Sequence, residues 1–134
     1  QYGLFNAYRS AVAPTGSISY ARSCTPSIAP ITERVEVRDY ADSRTIYPMP
    51  FLTGENKHLY TEAYDMDMYK MIDLYSVAQK HIDQALSMTL YIKDSWNTED
   101  LAKIYIYAWE KGIKSMYYVR QRKTTIEDCV SCSV

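Results

Sequence analysis

Residues 85–122 read ALSMTLYIKDSWNTEDLAKIYIYAWEKGIKSMYYVRQR, and their punctuation sets the fold class. Ala85–Ile92 is an apolar run too short for a packed helix, and its Thr89, Tyr91 and Ile92 favour a buried strand. Asp94–Asn97 reads as a turn. Thr98 is then the expected N-cap, with Glu99 and Asp100 at the positive end of a helix and Gly112 as its stop, a span of about four turns. Ile113–Arg120 returns to strand character. With a helix upstream, the order helix, strand, helix, strand calls for parallel pairing through crossover helices, so the class is α/β. Two strands cannot form a stable sheet covered on both faces, so further strands must come from residues 1–50 or from another chain.

Upstream, Tyr60, Tyr64, Met68, Met71, Tyr75, Ala78 and Ile82 recur at three- and four-residue steps, which predicts a long helix from about Gly54 to Asp83 with a Met and Tyr packing stripe. Between Cys24 and Pro50, four prolines (Pro26, Pro30, Pro48, Pro50) exclude long helices, while Val35, Val37 and Ile46-Tyr47 support short extended pieces. Residues 1–13 run into Pro14-Thr15-Gly16-Ser17, a small-residue loop.

The 134 residues, 47% apolar and 23% charged, suffice for one core, and a net charge of -1 gives no reason to expect nucleic acid or anionic membrane as a partner. No apolar run approaches the roughly eighteen residues of a spanning helix, and the N-terminus does not have the pattern of a signal peptide. Three cysteines, Cys24, Cys129 and Cys132, fit a reducing, cytoplasmic compartment better than a secreted disulfide framework. Cys24 is expected to be a buried small hydrophobe, and His58 and His81 to be structural.

Three stretches carry candidate chemistry. In Pro14-Thr15-Gly16-Ser17-Ile18-Ser19, backbone N–H groups near a glycine form an anion-binding concavity and the hydroxyls add donors, although the same residues also build ordinary turns. No lysine follows as in a Walker loop, so triphosphate hydrolysis is disfavoured. Tyr117-Tyr118 would point to opposite faces of a regular strand, so a stacked pair there requires a local distortion. Cys129-Val130-Ser131-Cys132 can exchange disulfides, donate two metal ligands or be plain terminal thiols. Glu127 and Asp128 disfavour the thiolate, so the pair needs activation where it docks.

Taken together, APTGSISY at 13–20, KGIKSMYYVRQR at 111–122 and CVSC at 129–132 resemble the large catalytic subunit of ribonucleotide reductase, in a form most similar to class Ib. Ser23–Ile28, Ile46–Pro50 and His81–Gln84 extend the resemblance over nearly the whole chain. It implies the C-terminal part of a ten-stranded α/β barrel at residues 1–122, followed by a flexible redox-active tail at 123–134. It also implies reduction of ribonucleoside diphosphates at the ribose 2′-carbon by radical chemistry. Pro14, Thr15, Gly16, Ser17 and Ile18 match the loop that holds the substrate diphosphate. Tyr117 and Tyr118 match the pair that relays an oxidising equivalent from a small subunit carrying a dinuclear metal. Cys129 and Cys132 match the pair that re-reduces the active site and is itself reduced by a thioredoxin- or glutaredoxin-like protein. The family's hydrogen-abstracting cysteine, its flanking Asn and Glu, its buried redox pair and its dNTP specificity site have no match here. The chain is therefore expected to bind no cofactor itself and to act only with a larger N-terminal portion, in a complete subunit that answers to dNTP or ATP effectors. The rival reading is a non-catalytic module in which the stripe from Tyr60 to Ile82 docks a partner under redox control by the terminal cysteines.

Overall fold

In the computed structural model, which describes residues 3 and 5–122, strand β3 (Thr89–Lys93) leads through helix α3 (Thr98–Glu110) into strand β4 (Tyr118–Arg122), and the two strands pair in parallel from Thr89↔Tyr118 to Lys93↔Arg122. This is the expected crossover unit, with shifted boundaries. Asn97, not Thr98, caps α3: its side chain accepts from Asp100 N–H (2.9 Å) while the Asp100 carboxylate accepts from Asn97 N–H (3.1 Å), a reciprocal box that leaves Thr98 as the first helical residue. At the other end, Gly112 sits at φ +79°, Gly112 N–H donates to Trp109 (2.9 Å) and Ile113 N–H to Ala108 (3.0 Å), the paired bonds of a Schellman stop. Ile113–Tyr117 then run without ladder pairing, so β4 begins five residues later than Ile113.

The long helix expected over 54–83 is a correction. Two single 3-10 turns, Lys57–Leu59 and Ala63–Asp65, precede a shorter helix α2, Met68–Gln79. Asp67 starts it afresh, because its carboxylate accepts from Tyr69 N–H at 2.9 Å and Lys70 N–H at 3.5 Å. The stripe is a packing face as expected: Met68, Met71, Ile72 and Tyr75 join Leu86, Met88, Leu90, Ile92, Ile104 and Ala108 in one core, with Tyr64, Ala78 and Ile82 at its margin. That burial removes the stripe as a free docking face. Asp73 ties α2 to α3, accepting from Tyr107 Oη (2.9 Å) and pairing with Lys111 (2.7 Å).

Residues 16–22 form a short helix, α1 (Gly16–Arg22), which begins inside the loop expected over residues 14–17, and Val35–Tyr40 and Ser43–Pro48 form an antiparallel hairpin, β1–β2. Among the described residues the hairpin stays a separate two-stranded sheet, so residues 1–50 do not extend β3–β4. β3 buries Leu90, Tyr91 and Ile92 consecutively, as a strand covered on both faces does, whereas every residue of β4 is exposed. Among the described residues no helix is long and apolar enough to cross a membrane.

Candidate functional site

A cleft of about 340 Å³ opens between α1, the hairpin and the start of the parallel pair. Pro14, Gly16 and Ser19 form one wall, Glu36, Arg38 and Tyr47 a second, and Thr89, Tyr91, Tyr117, Tyr118 and Arg120 a third. Two of the three stretches picked out in the sequence thus meet in one cavity. Cys129 and Cys132 lie outside the described residues.

The first helical bond of α1 runs from Ser19 N–H to the Thr15 carbonyl (3.0 Å), so the N–H groups of Gly16, Ser17 and Ile18 precede the helical ladder. Thr15 does not cap them, because its hydroxyl accepts from Ser27 N–H (3.1 Å). The Ser19 hydroxyl turns back to the Gly16 carbonyl (2.6 Å). Pro14 and Gly16 line the cleft, Ser17 and Ile18 are exposed, and nothing lies within 4 Å of where a Cβ on Gly16 would stand. Three amide donors at the positive end of a short helix, with small side chains around them, are chemically suited to an anion.

Tyr117 and Tyr118 are in ring contact, centroids 4.0 Å apart and planes tilted by 53°. The distortion this needs is present: both backbone N–H groups turn toward the carbonyl of Met88, at 2.8 and 3.4 Å, so the chain is not in regular alternation at the entry to β4. The Tyr118 hydroxyl pushes the Tyr117 phenol above its ordinary value.

Three features escaped sequence reasoning. Cys24, expected to be buried, is exposed and lines the cleft, because it follows Ser23, which ends α1 in a left-handed conformation. In β1, expected only as a short extended piece, Val35 and Val37 are exposed and Glu36 and Arg38 line the cleft. Alternation along a strand defines two faces but not which one is inward. Tyr20, on α1, donates its hydroxyl to Glu36, stacks against Tyr47 at 4.5 Å and lies beneath the Arg38 guanidinium at 4.5 Å. Burial, then the Glu36 carboxylate, pushes its phenol up to about 12. His58 donates Nδ1–H to the Glu55 carbonyl (3.0 Å) and His81 is exposed, and neither lines the cleft.

The family model described as ribonucleotide reductase, barrel domain, matches residues 1–119. The chain is 52% identical over its whole length to the ribonucleoside-diphosphate reductase NrdEB subunit alpha of Bacillus subtilis (strain 168), covering 12% of that protein. It is 49% identical to the ribonucleoside-diphosphate reductase subunit alpha of the same organism, covering 19%, and 42% identical to that of Mycoplasma genitalium, covering 20%. The chain thus spans between about an eighth and a fifth of the length of these relatives.

Proposed function

The chain belongs to the ribonucleotide reductase barrel-domain family, and we propose that it works as part of a class Ib ribonucleoside-diphosphate reductase alpha subunit, converting ribonucleoside to deoxyribonucleoside diphosphates. The observation that carries this reading is the cleft that Pro14 and Gly16, at the start of α1, share with Tyr117 and Tyr118. The class assignment rests on the form of the phosphate loop and of the tail.

In this reading, Gly16, Ser17 and Ile18 N–H groups and the Thr15 and Ser17 hydroxyls hold the substrate diphosphate, so that binding energy from the phosphates orients the ribose. Tyr117 and Tyr118 carry an oxidising equivalent from a small subunit toward an active-site cysteine in the remainder of the alpha subunit. A phenol that gives up its electron and proton together becomes a neutral radical and leaves no charge in a partly desolvated cleft. Ring contact between the two tyrosines supports transfer in either direction without rearrangement. Reduction of the ribose leaves an active-site disulfide. The Cys129 or Cys132 thiolate attacks it, a mixed disulfide forms, and closure of the Cys129–Cys132 disulfide releases the active-site dithiol. A thioredoxin- or glutaredoxin-like protein then reduces the tail, and dNTP or ATP effectors act elsewhere on the complete subunit.

Two variants in the assembled reductase test these roles. Tyr118→Phe removes the phenolic O–H that gives up the electron and proton while keeping the ring, and is expected to abolish turnover with unchanged diphosphate binding. Retained turnover would refute the relay, as the non-catalytic module reading demands. Cys129→Ser is expected to allow one round of product per active site and to block multiple turnover with a protein reductant. Undiminished multiple turnover removes the tail from the cycle.

A further inference from the structure

α1 has seven residues, fewer than a helix needs to hold itself in water, so its direction is set by tertiary anchors. Thr15 does not fix its first turn, since that hydroxyl is engaged by Ser27 N–H. Tyr20 lies four residues after Gly16, on the same face one turn along. Its hydroxyl reaches across to Glu36 on β1, and its ring contacts both Tyr47 of β2 and the guanidinium of Arg38. Arg38 in turn places Nη2 at 3.3 Å and Nε at 3.4 Å from the same Glu36 carboxylate oxygen. One α1 side chain is therefore fastened to both strands of a hairpin that, among the described residues, shares no ladder with β3–β4.

We infer that Tyr20, Glu36 and Arg38 form a latch that positions the amide end of α1 for the substrate diphosphate, making them positioning residues for that site. The inference rests on the phosphate role proposed above for residues 14–18. The hydroxyl-to-carboxylate bond sets the rotation of α1 about its axis, and with it where the Gly16, Ser17 and Ile18 N–H groups sit around the helix end. Burial and Glu36 together keep the Tyr20 phenol protonated well above neutral pH, so the latch stays donated throughout the working range.

The test uses the complete alpha subunit and measures equilibrium binding of cytidine diphosphate and of cytidine, with turnover in the assembled reductase. Tyr20→Phe keeps the ring contacts and removes the hydroxyl. Diphosphate affinity is expected to fall about tenfold, the size of one lost charge-assisted hydrogen bond. Cytidine binding should not change, and kcat at saturation should stay within about twofold, the mark of lost uniform binding. Glu36→Gln keeps an acceptor for the phenol and is expected to lose less affinity than Tyr20→Phe. The double variant should lie close to Tyr20→Phe alone, because once the hydroxyl is gone the side chain at position 36 has no phenol to hold. A Tyr20→Phe subunit that keeps its diphosphate affinity, or that loses cytidine affinity equally, overturns the latch while leaving the phosphate loop intact. A wild-type subunit that binds the diphosphate no better than cytidine overturns the phosphate loop itself, and the latch with it.

Discussion

Tyr117 and Tyr118 share the carbonyl of Met88 as the target of both backbone N–H groups, and this departure from the strand ladder is what lets neighbouring rings touch. Because the Tyr118 hydroxyl is the leading cause that raises the Tyr117 phenol, Tyr118→Phe should return the Tyr117 titration toward its ordinary value. Carbon NMR of ring-labelled tyrosine reads this directly, and an unmoved titration would mean the hydroxyls do not interact. Asp83 is a second residue whose chemistry is local. Its carboxylate accepts from Arg9 N–H (2.8 Å), Ser10 N–H (3.0 Å) and Ser10 Oγ (3.1 Å), and these donors, Arg9 N–H first, hold it below the ordinary carboxylate range. A depressed folded value means that the stabilisation is present above the unfolded value and is lost as pH falls through the folded one. Protection of the Arg9 and Ser10 amides, relative to their intrinsic exchange at each pH, should therefore be high at neutral pH and be lost only in acid. Asp83→Asn should reproduce the acid behaviour at neutral pH, and equal exchange in both proteins would show that the clasp does not hold residues 9–10.

At the scale of the element, α3 carries signals at both ends, and they explain why it was the most legible part of the sequence. Gly112 was readable as a stop because a left-handed residue is needed where the Schellman bonds close, and Gly meets that need at least cost. Asn97→Ala should cost about 1 kcal/mol of local stability by loss of the cap. Gly112→Ala should cost a similar amount, roughly 1 kcal/mol, from strain at positive φ rather than from any steric clash. Hydrogen exchange along residues 98–110 measures both, and unchanged protection would remove the ends of α3 from its energetics. The start of α2 was harder to read, because Tyr60 and Tyr64 continue the spacing of the stripe through two 3-10 turns. A three- or four-residue recurrence alone does not distinguish a continuous helix from successive single turns on one side of a core. The deciding residue was Asp67, whose carboxylate restarts the helix at Met68. The hairpin defeats pattern reading for another reason. Its valines face out and its Glu36 and Arg38 line the cleft, so the rule that the apolar face is inward fails where a cavity replaces the core.

For the whole molecule, the α/β class was legible from the order of elements, because a parallel pair must be joined by a crossover. The need for further strands was legible as well, but their source was not. β3 is buried on both faces while β4 is exposed at all five positions, and among the described residues nothing pairs with the edge of β4 that faces away from β3. Relatives five to eight times longer are consistent with a neighbour supplied by the rest of a subunit. An unpaired edge strand exposes its amides to water, and a closed barrel removes that exposure. Residues 1–134 produced alone should therefore show fast exchange along Tyr118–Arg122 and form no deoxyribonucleoside diphosphate, even with a small subunit and a reductant present. Within a complete alpha subunit the same amides should become protected, and product should appear. Protection of β4 in the isolated chain would mean that the edge is already covered, and turnover by that chain would show that the chemistry needs no further polypeptide.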